Sequence, residues 1–166
     1  MQEFITSDSL VMQVTIINRQ NRHRIAQRRI LRLLEFLLTK AVRGKDIRWC
    51  DVALILVDNQ ASRKINRIHL HHDYDTDVIT FNYMPLPGDP RHGLCGEIIV
   101  NVERAGVEGG RRRGRDHETA LYIAHGCDHL TGGRDDTRER AQQMRRRELC
   151  WVRSAIQRGL VRTILP

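Results

Sequence analysis

Aromatic residues are scarce in this 166-residue chain: two Trp, three Tyr and three Phe make up 5% of it. So few rings argue against a broad stacking platform for nucleic-acid bases. Lysine is scarcer still, with three residues against 25 arginines. No apolar run approaches the roughly 20 residues that a membrane-spanning helix needs, so no membrane partner is expected. The four cysteines (Cys50, Cys95, Cys127 and Cys150) lie far apart and form no CxxC pair. Buried or free thiols are therefore expected. The first residues, MQEFITSDSLVM, carry acidic groups and lack the basic-then-apolar order of a signal peptide, which points to a cytoplasmic protein. Met12 is an alternative start. It would leave residues 1–11 as a disordered tail ahead of a single domain over 12–166, a length that buries a real core.

What the chain has instead is positive charge. The formal net charge is +8. Arginine binds phosphate through two parallel hydrogen bonds and stays protonated, so this surplus suits a polyanionic partner. A genome that favours arginine codons produces the same composition, so charge suggests a class of partner and no more.

No repeat or low-complexity linker interrupts the pattern. LVMQVTIIN (10–18) alternates like a strand. From Asn21 to about Val42, Ile25, Ile30, Leu33, Leu34, Leu37 and Leu38 fall at helical spacing with arginines opposite, and Gly44 is placed to end the helix. WCDVALILVD (49–58) is apolar enough for a central strand. A short helix, NQASRKINRIHL (59–70), and a turn precede a third strand, VITFNY (78–83). MPLPGDPRHG reads as a loop, and LCGEIIVNV (94–102) as a fourth strand. Residues 103–113 form only a weak helix because Gly106, Gly109 and Gly110 interrupt them. Asp116 is a suitable N-cap for a helix through HETALYIAHGCDHL, and a last helix runs from about Asp136 to Arg158. These elements predict an α+β domain with a roughly four-stranded mixed sheet packed with helices. The strand order is not legible.

The chemistry concentrates in HGCDHLTGGRDD (125–136). Residues four apart on a helix are separated by about 40° and one turn, so His125 and His129 can reach one ion. Such a pair alone is a weak signal. Gly132 then stands where a helix turns through a left-handed conformation, which lets the chain fold back and aim Asp135 at the same point. Two imidazole nitrogens, one carboxylate oxygen and a fourth position left to water form a catalytic zinc arrangement. The pattern HxxxHxxGxxD resembles the extended zinc motif of metzincin proteases. Those enzymes carry glutamate directly after the first histidine as general base, and this chain has Gly126 there. A protease is the less favoured reading.

A closer resemblance spans about residues 51 to 150. His125, Gly126, His129, Leu130 and Gly132 stand in register with HGxLHLxGxDH, the signature of the YbeY family of bacterial ribosomal-RNA maturation endoribonucleases. DTDVITF (75–81) looks like that family's PTDVLSF element. GEIIVN (96–101) is similar to its GDIxIS strand, and Ile65-Asn66 to its Leu-Asn. The resemblance implies one Zn2+ held by His125, His129 and Asp135 in a cytoplasmic hydrolase. That hydrolase would cut single-stranded RNA and help mature the small-subunit ribosomal RNA, with the small ribosomal subunit and its proteins as partners.

The departures are specific. The third ligand, usually histidine, is aspartate here, and Arg134 stands where aspartate is usual. A carboxylate neutralises one charge of the ion and should make its bound water less acidic. Asp136 is a one-residue-shifted alternative, which spacing disfavours. Asp128 replaces an apolar residue and reads as either a partner of a metal ligand or a solvated carboxylate. Cys127 lies on the opposite helix face and reads as packing. Leu70 occupies the place of an arginine that contacts RNA in many members. Arg67, His71 or His72 are candidates to substitute, and equally ordinary loop residues. His69, His71 and His72 invite a second metal site, though a structural role is favoured. Glu118, two turns before His125, is too distant to be a ligand and is expected to line the cleft or make a hydrogen bond. Arg145–Arg147 are either a phosphate-facing flank or, as slightly favoured, a solvated face.

The reaction inferred is phosphodiester hydrolysis by zinc-bound water, with arginines holding the backbone. No side chain announces itself as general base. The rival from another class is a non-catalytic RNA-binding assembly factor, in which zinc only pins the turn. A closed four-ligand site would favour it.

Overall fold

The alternation of side chains along one central strand sets the layout. In the computed structural model, which describes residues 12–83 and 93–166, β2 (Trp49–Val57) turns Val52, Leu54 and Leu56 to one face and Ile55 and Val57 to the other. Both sets are buried, as a strand covered on two sides requires. β1 (Gln13–Asn18) and β4 (Leu94–Asn101) flank it, both parallel to it, and β3 (Val78–Tyr83) closes the edge antiparallel to β4. The order is β1-β2-β4-β3, a mixed four-stranded sheet. The loop proposed over 84–93 and the tail over 1–11 lie outside the described residues, apart from Gly93.

One face of the sheet carries the main core. There α1 (Gln27–Ala41) buries Ile30, Leu33, Leu34, Leu37 and Leu38 completely. Each such side chain stabilises the fold by about 1.5–3 kcal/mol relative to exposure. α4 (Arg115–Leu130) lies centrally on this face and contacts α1, β3, β4, α3 (Val102–Gly110) and α5 (Arg138–Gln157). The opposite face carries only a small cluster, Ile55, Val57, Ile79 and Ile99, packed with Ala61 and Ile65 of α2 (Asn59–Leu70). The architecture is α+β, as the sequence predicts.

Two helix starts differ from expectation, one because a side chain claims the local backbone and the other because distant amides claim the expected cap. α1 begins at Gln27 rather than Asn21. The nearly buried Gln20 accepts from the Arg22 and His23 amides at 2.8 and 2.9 Å and donates to the His23 carbonyl at 3.0 Å, which holds that segment in a turn. Asp116 does not cap α4, which starts at Arg115 after Gly114 without a side-chain cap. Its carboxylate instead accepts from the Thr163 and Leu165 amides at 2.7 and 2.9 Å, fastening the end of the chain to the base of the helix. The weak 103–113 stretch forms the nine-residue α3, capped by Asn101, whose side chain accepts from the Arg104 amide at 3.1 Å. Thr137 caps α5 in the same way at 3.2 Å.

Candidate metal centre

His125 and His129 occupy successive turns of α4, and their rings meet edge to face with centroids 4.4 Å apart. Their Nε2 atoms are 3.1 Å apart. Directly after His129 the helix ends in a Schellman motif. Gly132 takes φ +89°, its amide donates to the His129 carbonyl at 3.0 Å, and the Gly133 amide donates to the Asp128 carbonyl at 2.8 Å. The left-handed turn reverses the chain and delivers Asp135, whose Oδ2 lies 3.7 Å from the Nε2 of each histidine. Donor atoms of His125, His129 and Asp135 all lie within 4.8 Å of one another, and among the described residues no fourth His, Cys, Asp or Glu joins them. Asp136, the shifted alternative, points elsewhere. It pairs with Arg134 at 2.7 Å and Arg140 at 2.8 Å, and those guanidiniums hold its carboxyl below the usual range.

Each ring is held by its far nitrogen. Glu148 Oε1 of α5 lies 2.6 Å from His125 Nδ1, and the Gly133 carbonyl lies 3.1 Å from His129 Nδ1. Both acceptors call for a proton on Nδ1, which leaves the Nε2 lone pairs facing each other. Two lone pairs at that separation repel unless a cation or a shared proton lies between them. The donor set of two imidazoles and one carboxylate suits a small divalent ion of the zinc type, so the residues present fit a metal. His125 bears the mark of this field. Burial works against its charged form, but the hydrogen bond to Glu148 and the charges of Glu148, Asp77 and Asp135 outweigh it and raise its pKa.

Gly126, the residue that separates this motif from the protease pattern, faces the sheet. A Cβ there would lie 2.4 Å from Ile98 Cγ2 of β4. Glycine lets the helix approach the strand closely, and the position supplies no side chain to act as a base.

The centre opens into a cleft of about 410 Å³, which Asp77, Arg104, Arg112, Tyr122 and Arg145 also line. Both imidazoles are about one quarter exposed, 24% and 26%. Glu118 lines the cleft as expected, buried and bound to Arg112 at 2.7 Å. Arg104 is fixed by Asp75 at 3.1 Å. These cleft arginines come from α3, the α3–α4 connection and α5, not from the loop where the family arginine stands. Leu70 there is exposed, and Arg67 lines a separate hollow with Arg63 and Asp73. The three histidines at and beyond the end of α2 diverge. His69 meets Phe81 edge-on, His71 ends α2 in a left-handed conformation, and His72 stacks on Tyr74.

Sequence reasoning missed Glu148, although a signal was present: with Met144, Val152 and Ala155 it forms the buried stripe of α5. An acid in such a stripe needs a partner. Asp128 is fully buried rather than solvated, and its carboxylate is bound by Arg147 through two hydrogen bonds of 3.1 Å rather than by either imidazole. Arg147 is therefore not part of a merely solvated face. Cys127 is fully buried packing, as expected.

Comparison with known proteins places the chain in a family. The family described as endoribonuclease YbeY matches residues 15–154. An endoribonuclease YbeY of Alkaliphilus oremlandii is 32% identical over 146 residues, covering 82% of this chain and 93% of that one. Its counterpart in Salinibacter ruber is 29% identical over 122 residues, covering 66% and 78%. A Thermotoga maritima protein of known solution structure shares the fold, with a TM-score of 0.57 at 20% identity over 89% of this chain and 91% of its own. The extent of the family match, together with the relative aligned over nearly its whole length, shows that the chain belongs to the endoribonuclease YbeY family.

Proposed function

We propose that this protein is a zinc-dependent endoribonuclease that hydrolyses single-stranded RNA and acts in ribosomal-RNA maturation in the cytoplasm, in contact with the small ribosomal subunit. The observation that carries the reading is a three-donor site, His125, His129 and Asp135, open to an arginine-lined cleft in a chain of an endoribonuclease family. Among the described residues no helix is long and apolar enough to cross a membrane.

The three side chains would hold one divalent ion, which when bound supplies Lewis-acid polarisation of a phosphoryl oxygen and activation of water. The protein's own groups do the rest. Glu148 and the Gly133 carbonyl keep both rings turned with Nε2 toward the cleft. Arg104, Arg112 and Arg145, which line the cleft, would offer guanidiniums to RNA phosphates. Two nearby carboxylates are already committed, Glu118 to Arg112 and Glu148 to His125, so neither is free to take a proton from a nucleophile. Burial, reinforced by the charges of Asp77 and Glu118, pushes the Tyr122 phenol up to about 12. Its hydroxyl in the cleft is therefore a neutral hydrogen-bond donor at physiological pH.

A three-donor site favours catalysis over a purely structural zinc, because structural sites close with four protein ligands. The test is chelation and restoration. Protein stripped of metal is expected to lose cleavage of an unstructured RNA and to regain it with one equivalent of Zn2+. Stripped protein that cuts as well as loaded protein rejects the metal, and cleavage of a peptide instead of RNA rejects the nuclease.

A further inference from the structure

Asp128 is the residue between the two histidines that the site itself does not use. It lies on α4 three residues after His125 and one before His129, with a side chain that is 0% exposed. An ionised carboxylate is costly to bury and persists only when its lone pairs are met. Arg147 of α5 meets them with a fork: Nε donates to Oδ2 and Nη2 to Oδ1, each at 3.1 Å. The same residue also supports the turn that follows. Its backbone carbonyl accepts from the Gly133 amide at 2.8 Å and from the Thr131 hydroxyl at 3.0 Å. Gly133 sits so close over it that a Cβ there would stand 2.4 Å from Asp128 Oδ1. Gly133 in turn carries the carbonyl that orients His129, and Asp135 follows two residues later.

The adjacent pair Arg147–Glu148 on α5 thus grips α4 at two points, Arg147 at Asp128 and Glu148 at His125. An apolar pair at 128 and 147 would fill the space but would leave α5 and the turn free to slide. The bidentate fork has one geometry. We propose that Asp128 and Arg147 are positioning residues of the metal centre: the fork that a half-exposed Arg147 closes on the buried Asp128 holds the 131–135 turn in the register that brings Asp135 to the histidine pair. This rests on the metal-centre reading above.

The experiment titrates the full chain with Co2+ and follows its visible absorption, whose intensity and position report the number and arrangement of ligands. Thermal unfolding is recorded for each protein. The proteins are wild type, Arg147→Lys, and the double variant Asp128→Leu/Arg147→Leu. The double variant exchanges the ion pair for apolar packing and is expected to fold with thermal stability close to wild type. Its Co2+ affinity is expected to fall by about 10- to 100-fold, the usual effect of losing a group that orients a ligand, with an altered spectrum. Arg147→Lys keeps the charge but not the fork and should show a smaller loss of the same kind. A folded double variant with wild-type Co2+ affinity and spectrum overturns the positioning role while leaving the metal centre intact. Wild type that binds no Co2+ overturns the metal centre and the proposal with it. If the double variant does not fold, wild-type affinity and spectrum in Arg147→Lys overturn the proposal, and a graded loss supports it.

Discussion

Glu148 Oε1 lies 2.6 Å from His125 Nδ1, so a buried carboxylate on α5 determines which nitrogen of a histidine on α4 faces the cleft. The contact links a helix that carries none of the three candidate donors to the centre of the site. It also leaves Glu148 without a free role as a base.

Removing that carboxylate should weaken the metal site without unfolding the protein. Glu148→Gln retains a carbonyl oxygen that can accept from Nδ1–H, whereas Glu148→Ala does not. Zn2+ affinity, measured by competition with a chromophoric chelator, is expected to fall by about 10- to 100-fold in Glu148→Ala and by less in Glu148→Gln. Wild-type affinity in Glu148→Ala would show that His125 needs no orientation.

Gly126 is predicted to be a packing requirement. With Ile98 Cγ2 only 2.4 Å from where a Cβ would sit, Gly126→Ala forces α4 away from β4. Urea unfolding should show a loss of about 1–3 kcal/mol, the common cost of overfilling a packed core. An unchanged midpoint would mean that the helix–strand contact yields freely.

The thiols should separate by reactivity. Cys150 is exposed, whereas Cys127 is fully buried and burial drives its thiol well above the ordinary value. Mass mapping after brief alkylation at mildly alkaline pH should find Cys150 modified and Cys127 untouched until denaturant is added. Early modification of Cys127 would contradict the packing of α4.

Tyr122 sets an alkaline limit. In the unfolded chain a phenol ionises at about 10, whereas in the fold burial and then the charges of Asp77 and Glu118 raise Tyr122 to about 12. Between those values the unfolded state has released a proton that the folded state still holds, so its contribution to stability is intact below pH ~10 and is lost as pH rises toward ~12. Titration by phenolate absorbance should resolve a latest-ionising tyrosine, later than Tyr83, whose phenol burial and Glu97 also raise, and Tyr122→Phe should remove it together with part of the alkaline loss of stability. Ionisation of all tyrosines at the ordinary value would contradict the burial.

What could be read from the sequence was set by local rules. α2 and β3 fall on their expected boundaries, 59–70 and 78–83, and α2 carries its own cap in Asp58, which accepts from the Ala61 amide at 2.9 Å. The spacing from His125 through Gly132 to Asp135 was legible because a helix and a left-handed glycine leave few ways to continue. What was misread or could not be read was non-local. Asp116 has the composition of a cap, but the amides it serves belong to residues 163 and 165. The strand order depends on crossovers that no local pattern encodes. The buried Asp128 and the Arg147 that meets it, 19 residues apart, reveal their pairing only when α4 and α5 are side by side. The cleft arginines were equally hidden, because in a chain with 25 arginines composition does not single out Arg104, Arg112 and Arg145.

The proposed function stands or falls with His125, His129 and Asp135 as holders of a metal on which RNA cleavage depends. The most direct measurement compares cleavage and binding of one labelled single-stranded RNA by zinc-loaded wild type and by His129→Ala purified identically. The variant is expected to bind RNA nearly as well as wild type, because the cleft arginines remain, while its cleavage rate falls by at least about 10²-fold, as for loss of a principal electrostatic group. Equal cleavage by both proteins, or parallel losses of cleavage and binding, would contradict it.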